Sequence, residues 1–260
     1  MTKIDRRAAW RVLMAAVAVV VLDGASTPPC MAAASGQVLA LRGTVTIEND
    51  GKRRATAVGD PVGAGDTIDV SEASKVRLRM DDGSMITVAA ASKLTIDSYE
   101  VDGRGARQNA RLTLSSGLLH AVVSAGGSAP NFEVESTFGA ATVRGTDLYV
   151  DAQPGKTEVY VLTGEVTLAD ADHRDRVTIP QMSWSSAEAH KAPNPPRPAP
   201  KERLAALAER ARFALGLCQC LAVQQRLTPN CQPATEACQA SCNGGSYGFV
   251  PIAPGTCGAP

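Results

Sequence analysis

Apolar and polar residues alternate along most of residues 36–188, in short runs separated by Gly, Asp and Asn. A period of two indicates β-strands that bury one face and expose the other. About ten such runs follow one another without a convincing helical repeat. The pattern predicts an all-β domain, an antiparallel sandwich or roll, of a size that can bury a real core.

The clearest single element is a hairpin within residues 75–88. Its apolar positions are Val76, Leu78, Met80, Ile86 and Val88. A two-residue turn at Asp82 and Gly83 would mix apolar and polar side chains on each face. A three-residue loop over residues 81–83 pairs Leu78 with Ile86 and keeps one face apolar, so we predict that loop, with Gly83 in the left-handed conformation.

The other face of this hairpin carries Lys75, Arg77 and Arg79. A row of basic side chains on a strand is usually a solvated face. It is also a possible face for an anionic ligand or a partner protein.

Residues 138–150 interrupt the alternation with glycine and then restart it. We predict that Gly145 allows a tight bend here. Arg144 stands among apolar neighbours and needs a carboxylate or carbonyl partner. Together with Thr146 we interpret these residues as a structural motif; Asp147, Glu133 and Glu158 are the candidate partners.

The N-terminal segment has the three parts of a secretory signal peptide. Basic residues precede an eleven-residue apolar run, residues 12–22, and three alanines end at Ala34. The run would span about 16 Å as a helix, which is too short for a bilayer core. We therefore expect residues 1–34 to be removed, no transmembrane span to remain, and the protein to be periplasmic or secreted.

After residue 188 the composition changes. Five prolines fall within residues 193–200, which predicts a stiff linker over residues 189–200. Residues 201–217 then show helical spacing, with Leu204, Leu207 and Ala211 along one side. This helix could dock on the β domain or dimerise, and docking is the more ordinary arrangement.

Residues 201–260 consist of this helix and a C-terminal tail that is rich in cysteine. Six of the seven cysteines lie here: Cys218, Cys220, Cys231, Cys238, Cys242 and Cys257. An even number in an exported chain predicts disulfide bonds, although fifteen pairings are possible and the sequence does not choose among them. Binding of a soft metal ion by the Cys-Gln-Cys segment is the alternative.

Composition and charge narrow the functional classes. The chain has no net formal charge, so it offers no electrostatic argument for a nucleic-acid partner. Its three histidines, His120, His173 and His190, have no ligand or nucleophile at a recognisable spacing. We predict no catalytic residues, no metal site and no cofactor.

Several short motifs together resemble the FecR-type periplasmic domain family across residues 38–170. The matching segments are Gly43-Thr-Val, Val58-Gly-Asp, Gly65-Asp66, Asp82-Gly83-Ser84, Leu94, Leu114-Ser-Ser-Gly117, Phe132-Glu-Val, Ala141-Thr-Val-Arg-Gly-Thr146 and Val161-Leu-Thr-Gly-Glu-Val166. The resemblance implies an exported all-β domain.

The founding members of that family are membrane sensors. Their cytoplasmic segment holds a sigma factor, and their periplasmic part receives a signal from an outer-membrane receptor. This chain has only eleven residues before its apolar run, too few for a sigma-binding domain. The resemblance therefore implies a stand-alone exported module rather than the full sigma regulator.

Three functional hypotheses follow. The first is a non-catalytic envelope protein that binds or senses a protein partner or small ligand. The second is an envelope hydrolase, for example one acting on glycan, and the third is a structural surface protein cross-linked through its cysteine tail.

The tail chemistry can be tested by counting thiols in the exported protein after denaturation without reductant. Disulfide bonding predicts no free thiol among the six tail cysteines. Metal ligation instead predicts six free thiols once a chelator has removed the ion.

Overall fold

The computed structural model describes residues 34–125 and 132–213. The predicted signal peptide up to residue 33 and the six tail cysteines lie outside these ranges. The described residues form seventeen strands and one helix: β1 (Ala34–Arg42), β2 (Val45–Asn49), β3 (Lys52–Ala55), β4 (Pro61–Gly63), β5 (Thr67–Val70), β6 (Lys75–Met80), β7 (Met85–Val88), β8 (Ser92–Val101), β9 (Arg107–Val122), β10 (Phe132–Ser136), β11 (Gly139–Val143), β12 (Asp147–Gln153), β13 (Lys156–Thr163), β14 (Glu165–Asp170), β15 (Arg176–Pro180), β16 (Ser183–Glu188), β17 (Arg197–Pro198) and α1 (Lys201–Ala211).

The strands form two sheets that share one member, β9. Sheet A has the order β4-β1-β6-β7-β9-β12-β13-β16-β17. Sheet B has the order β3-β2-β5-β8-β9-β10-β11-β14-β15. Neighbouring strands are antiparallel except β9 and β10, which are parallel. This confirms the predicted all-β, largely antiparallel fold.

The core lies between the sheets and is built from alternate residues of their strands. Val76 and Leu78 of sheet A and Leu112 and Phe132 of sheet B are completely or almost completely buried in one continuous cluster. A period of two in the sequence thus becomes an inner and an outer face on each sheet.

The hairpin of β6 and β7 has the predicted register. Leu78 lies opposite Ile86 and Val76 opposite Val88. Gly83 has a φ of 84° and its N–H donates to the Met80 carbonyl oxygen at 3.0 Å. The three-residue loop is therefore confirmed.

A buried ion pair fastens the loop of this hairpin to β9. Asp82 and Arg107 are 0% and 2% exposed and form a salt bridge. The Tyr99 hydroxyl donates to Asp82 Oδ1 at 2.8 Å, and Arg107 Nη2 donates to the Ser124 carbonyl oxygen at 3.1 Å. Burial, with the Asp82 charge nearby, raises the pKa of Tyr99. Residues 101–110 have the composition of a loop, but in the structure β9 begins at Arg107, which pairs with Val101 of β8.

The Pro-rich segment and α1 both lie against sheet A. The Asn194 N–H donates to the carbonyl oxygen of Ser186 in β16. The Ala199 N–H donates to the carbonyl oxygen of Met182, immediately before β16. The helix docks on the β domain, as expected, and it ends at Ala211, six residues before the predicted end. Neither α1 nor any other stretch within the described ranges forms a helix of the length and apolarity that a bilayer span requires.

Gly117 marks the point at which β9 leaves sheet B and enters sheet A. Its φ is 89°, in the left-handed region. A Cβ at this position would lie 2.0 Å from Ser92 Oγ, which itself accepts a hydrogen bond from the Leu118 N–H. Only glycine fits both the conformation and the space.

Replacement of Gly117 by alanine should lower the free energy of unfolding by roughly 2–4 kcal/mol, because a clash with Ser92 adds to the backbone penalty. Gly155→Ala is the matched control, since Gly155 has a φ of 87° but no atom within 4 Å of the added Cβ. It should cost only about 1–2 kcal/mol. Urea unfolding of both variants measures the difference, and equal losses would show that the Ser92 contact has no role.

Candidate functional site

A groove of about 390 Å³ runs across the outer face of sheet B. We call it the sheet B groove. It is lined by Glu133, Thr142, Val143, Arg144, Glu165, Thr167, Ala169, His173 and Arg176.

Strand register explains why these side chains meet. Glu133 lies opposite Thr142, and Thr142 lies opposite Thr167, which places one residue from each of β10, β11 and β14 in a row. In the next row Ala140 lies opposite Ala169. The small side chains of this second row leave the floor of the groove open.

The turn between β14 and β15 forms one side of the groove. Asp170 Oδ1 accepts hydrogen bonds from the N–H groups of Arg174 and Asp175, at 2.7 and 2.9 Å. These bonds, led by the one from Asp175, lower the pKa of Asp170. The turn is therefore held in place by a charged group, and His173 stands on it with a φ of 56°.

The groove carries charges of both signs. Arg111 beside it forms ion pairs with Glu135 at 3.3 Å and Glu133 at 3.6 Å. Within the described residues no ion pair or hydrogen bond engages the side chains of Arg144, Glu165 and Arg176. These three side chains are therefore available to an outside ligand.

One group of side chains here has the geometry of a metal site. Ligand atoms of Glu133, Glu135 and His173 lie within 4.8 Å of one another. The sequence did not suggest this group, because the turn that carries His173 is remote in the chain from β10. Arg111 already engages both carboxylates and offsets part of their negative charge.

The structure corrects the expectation for Arg144. The side chain is exposed, and each proposed partner is engaged elsewhere: Asp147 with His120, Glu133 with Arg111, and Glu158 with Arg203. Gly145 does take a positive φ, 58°, in the bend between β11 and β12. Thr146 Oγ1 donates to the Glu165 carbonyl oxygen at 3.2 Å and ties this bend to β14.

The basic face predicted at Lys75, Arg77 and Arg79 is also corrected, since α1 and the residues after it occupy most of it. Lys75 Nζ donates to the carbonyl oxygens of Glu209 and Arg212, at 3.2 and 3.0 Å. Arg77 is buried with its guanidinium 5.4 Å from the centre of the Phe213 ring. Only Arg79 remains exposed.

Beside this basic face, α1 also covers two acidic side chains on neighbouring strands. Asp151 of β12 lies directly opposite Glu158 of β13, and their side chains are 1% and 5% exposed. Arg203 Nη2 bridges them at 3.1 and 2.8 Å, and Arg210 Nη1 adds a contact to Asp151 at 2.8 Å. Burial alone would raise the pKa of Glu158, but hydrogen bonds from Lys156, Arg203 and Tyr160 outweigh it and lower that pKa.

The sequence held a signal for this acidic pair that spacing arguments did not use. Pro154 and Gly155 form a two-residue turn with Gln153 opposite Lys156. The same register places Asp151 opposite Glu158. Like charges in directly opposed positions destabilise a strand pair, so a cationic neighbour could have been expected.

The described structure is that of a β-sandwich whose outer faces carry a charged groove and a docked helix. Residues 66–167 match the family model described as FecR protein. This match confirms the resemblance to the FecR-type family over that region of the chain. The match begins just before β5 and ends within β14, so β1, β15 and α1 lie outside it.

No curated protein sequence matches the chain. Two crystal structures of a protein from Parabacteroides distasonis, provisionally described as an anti-sigma factor, are similar to it at a distance. One has 12% identity and a TM-score of 0.46 over 63% of this chain and 74% of that chain. The other has 13% identity and a TM-score of 0.46 over 62% and 73%.

A buried arginine and an exposed one, Arg107 and Arg144, provide a direct test of the structural role expected for Arg144. Arg107→Ala leaves Asp82 buried without its cation and should cost about 3–5 kcal/mol of unfolding free energy. Arg144→Ala removes an exposed side chain and should change stability by less than about 0.5 kcal/mol. Urea unfolding of the two variants decides the point; a large loss for Arg144→Ala would restore its expected structural role.

Proposed function

We propose that the protein is a non-catalytic binding and sensing module that acts in the cell envelope after export. The FecR domain supports a regulatory rather than an enzymatic role, because the family it matches is regulatory. The predicted N-terminal signal peptide and the cysteine-rich tail support export to an oxidising compartment. The partner is a protein or a small ligand of the envelope.

The observation that carries the proposal is the sheet B groove. It combines a cavity of about 390 Å³ with charged side chains that no described residue pairs. Arg144 and Glu165 lie towards one end, and Arg176, which follows the turn of His173, lies towards the other. Charged groups of both signs on a rigid sheet favour a polar partner of defined orientation, since complementary charges set register more than affinity.

The same groove explains how a family motif can serve binding. Val143-Arg144-Gly145-Thr146 ends β11 and turns into β12, and Thr146 fixes this turn to β14. The turn therefore presents Arg144 at a fixed place while its guanidinium stays in solvent. The motif combines a structural anchor with an exposed cation.

Charge reversal in the groove tests the proposal. The variant Arg144→Glu with Arg176→Glu should fold normally, because neither side chain pairs with a described residue, and should lose the partner retained by the natural protein. Pull-down from envelope extract followed by mass spectrometry identifies that partner. Quantitative binding to the purified partner then measures the loss, at least tenfold for two reversed charges.

The matched control is Lys52→Glu with Arg104→Glu, two exposed basic residues away from the groove. This control makes the same change in net charge and should bind like the natural protein. If both double variants lose the partner equally, binding depends on net charge and the groove is not the site. Retention of full affinity by the groove variant would also refute the proposal.

A further inference from the structure

The outer face of sheet A beneath α1 has the chemistry of a binding site. We call this surface the α1 face; it is formed by Leu118, Tyr149, Asp151, Glu158 and Tyr160, with Lys75 of β6 at the place where α1 ends. It contacts Leu207 and Ala211, the buried residues of the helix. Apolar and aromatic side chains therefore surround a pair of carboxylates.

The carboxylates of this face require a cation from outside the strands. Lys156 reaches Glu158 from the same strand, β13, but Asp151 receives from the described strands only the Gln153 amide, at 2.9 Å. Its described cationic partners, Arg203 and Arg210, both belong to α1. They stand seven positions apart, which places them two turns apart on one side of a helix.

The face also distinguishes the two ends of a helix. Lys75 donates to the carbonyl oxygens of Glu209 and Arg212, where the final turn has carbonyl groups without partners inside the helix. A cation at this place complements the negative end of the helix dipole. The α1 face thus selects both the position of two basic side chains and the direction of the helix that carries them.

The helix itself contributes little to its own stability. It has eleven residues, and its N-cap, Pro200, makes no side-chain capping bond. Isolated helices of this length are marginal in water. The helix therefore depends on its contacts with the α1 face to stay folded. Of the two contacting surfaces, the α1 face is the more stable.

We propose that the α1 face is a helix-binding site, that α1 is its resident occupant, and that a partner protein binds there by replacing α1. The partner presents an amphipathic helix with two basic residues seven positions apart. This site is separate from the sheet B groove, and in the partner complex the basic residues of the partner take the places of Arg203 and Arg210 beside Asp151 and Glu158. Because α1 is tethered, it competes at a high effective concentration and lowers the affinity of the partner for the natural protein.

A labelled peptide of residues 199–213 is the probe for this site. It is added to the full chain carrying Leu207→Asp, which should release the attached α1 and leave the α1 face intact. Fluorescence anisotropy should show binding at least tenfold tighter than to the natural chain, where α1 blocks the site. Ala211→Glu, which disrupts the same buried contact from another position, serves if Leu207→Asp does not fold, as judged by circular dichroism.

Two controls establish specificity. A peptide with Arg203→Glu and Arg210→Glu should lose binding, and so should the intact peptide with a released chain that also carries Asp151→Asn and Glu158→Gln. The groove variant Arg144→Glu with Arg176→Glu, in the released background, should bind the peptide normally, which separates this test from that of the sheet B groove. Absence of binding to a folded, released chain, or equal binding of the charge-reversed peptide, would overturn the proposal.

Discussion

Strand β9 has to serve two sheets at once, and the rest of the sandwich depends on this constraint. Residues up to Ser116 pair with β8 in sheet B, and residues from Gly117 onward pair with β12 in sheet A. The chain passes between the sheets in the same way near Gly43, from β1 to β2, and near Gly164, from β13 to β14. Three segments, each with a glycine of positive φ, thus carry the chain from one sheet to the other and close the core at its corners.

Buried charge stabilises this architecture at two depths. Deep in the molecule, Asp82 and Arg107 hold the loop of the β6–β7 hairpin on β9, and Tyr99, Ser84 and Ser124 add further hydrogen bonds. Near the surface, Asp151 and Glu158 depend on arginines from α1. Both sets join elements that are distant in sequence, so each costs desolvation and in return fixes one arrangement of the chain.

Local patterns predicted the fold well and the contacts poorly, for physical reasons. The register of the β6–β7 hairpin follows from alternation and loop geometry, both of which are local. The need of an arginine for a partner is also local, but the choice between Arg107 and Arg144 depends on which one the fold buries. Lys75 and Arg77 face outward on their strand, as the pattern indicates, and only the return of the chain as α1 covers them.

The acidic pair on β12 and β13 has a consequence for relatives that share this domain but differ in the segment that follows it. Both carboxylates lie inside the span that matches the FecR family, whereas both arginines that bridge them lie beyond it. The unit recognised by sequence is therefore smaller than the unit that is electrostatically complete. In a relative that has this domain without α1, both carboxylates would be open to solvent, and of the cations that pair with them here only Lys156 would remain. Covariation between these two strands and a distant arginine would record that dependence.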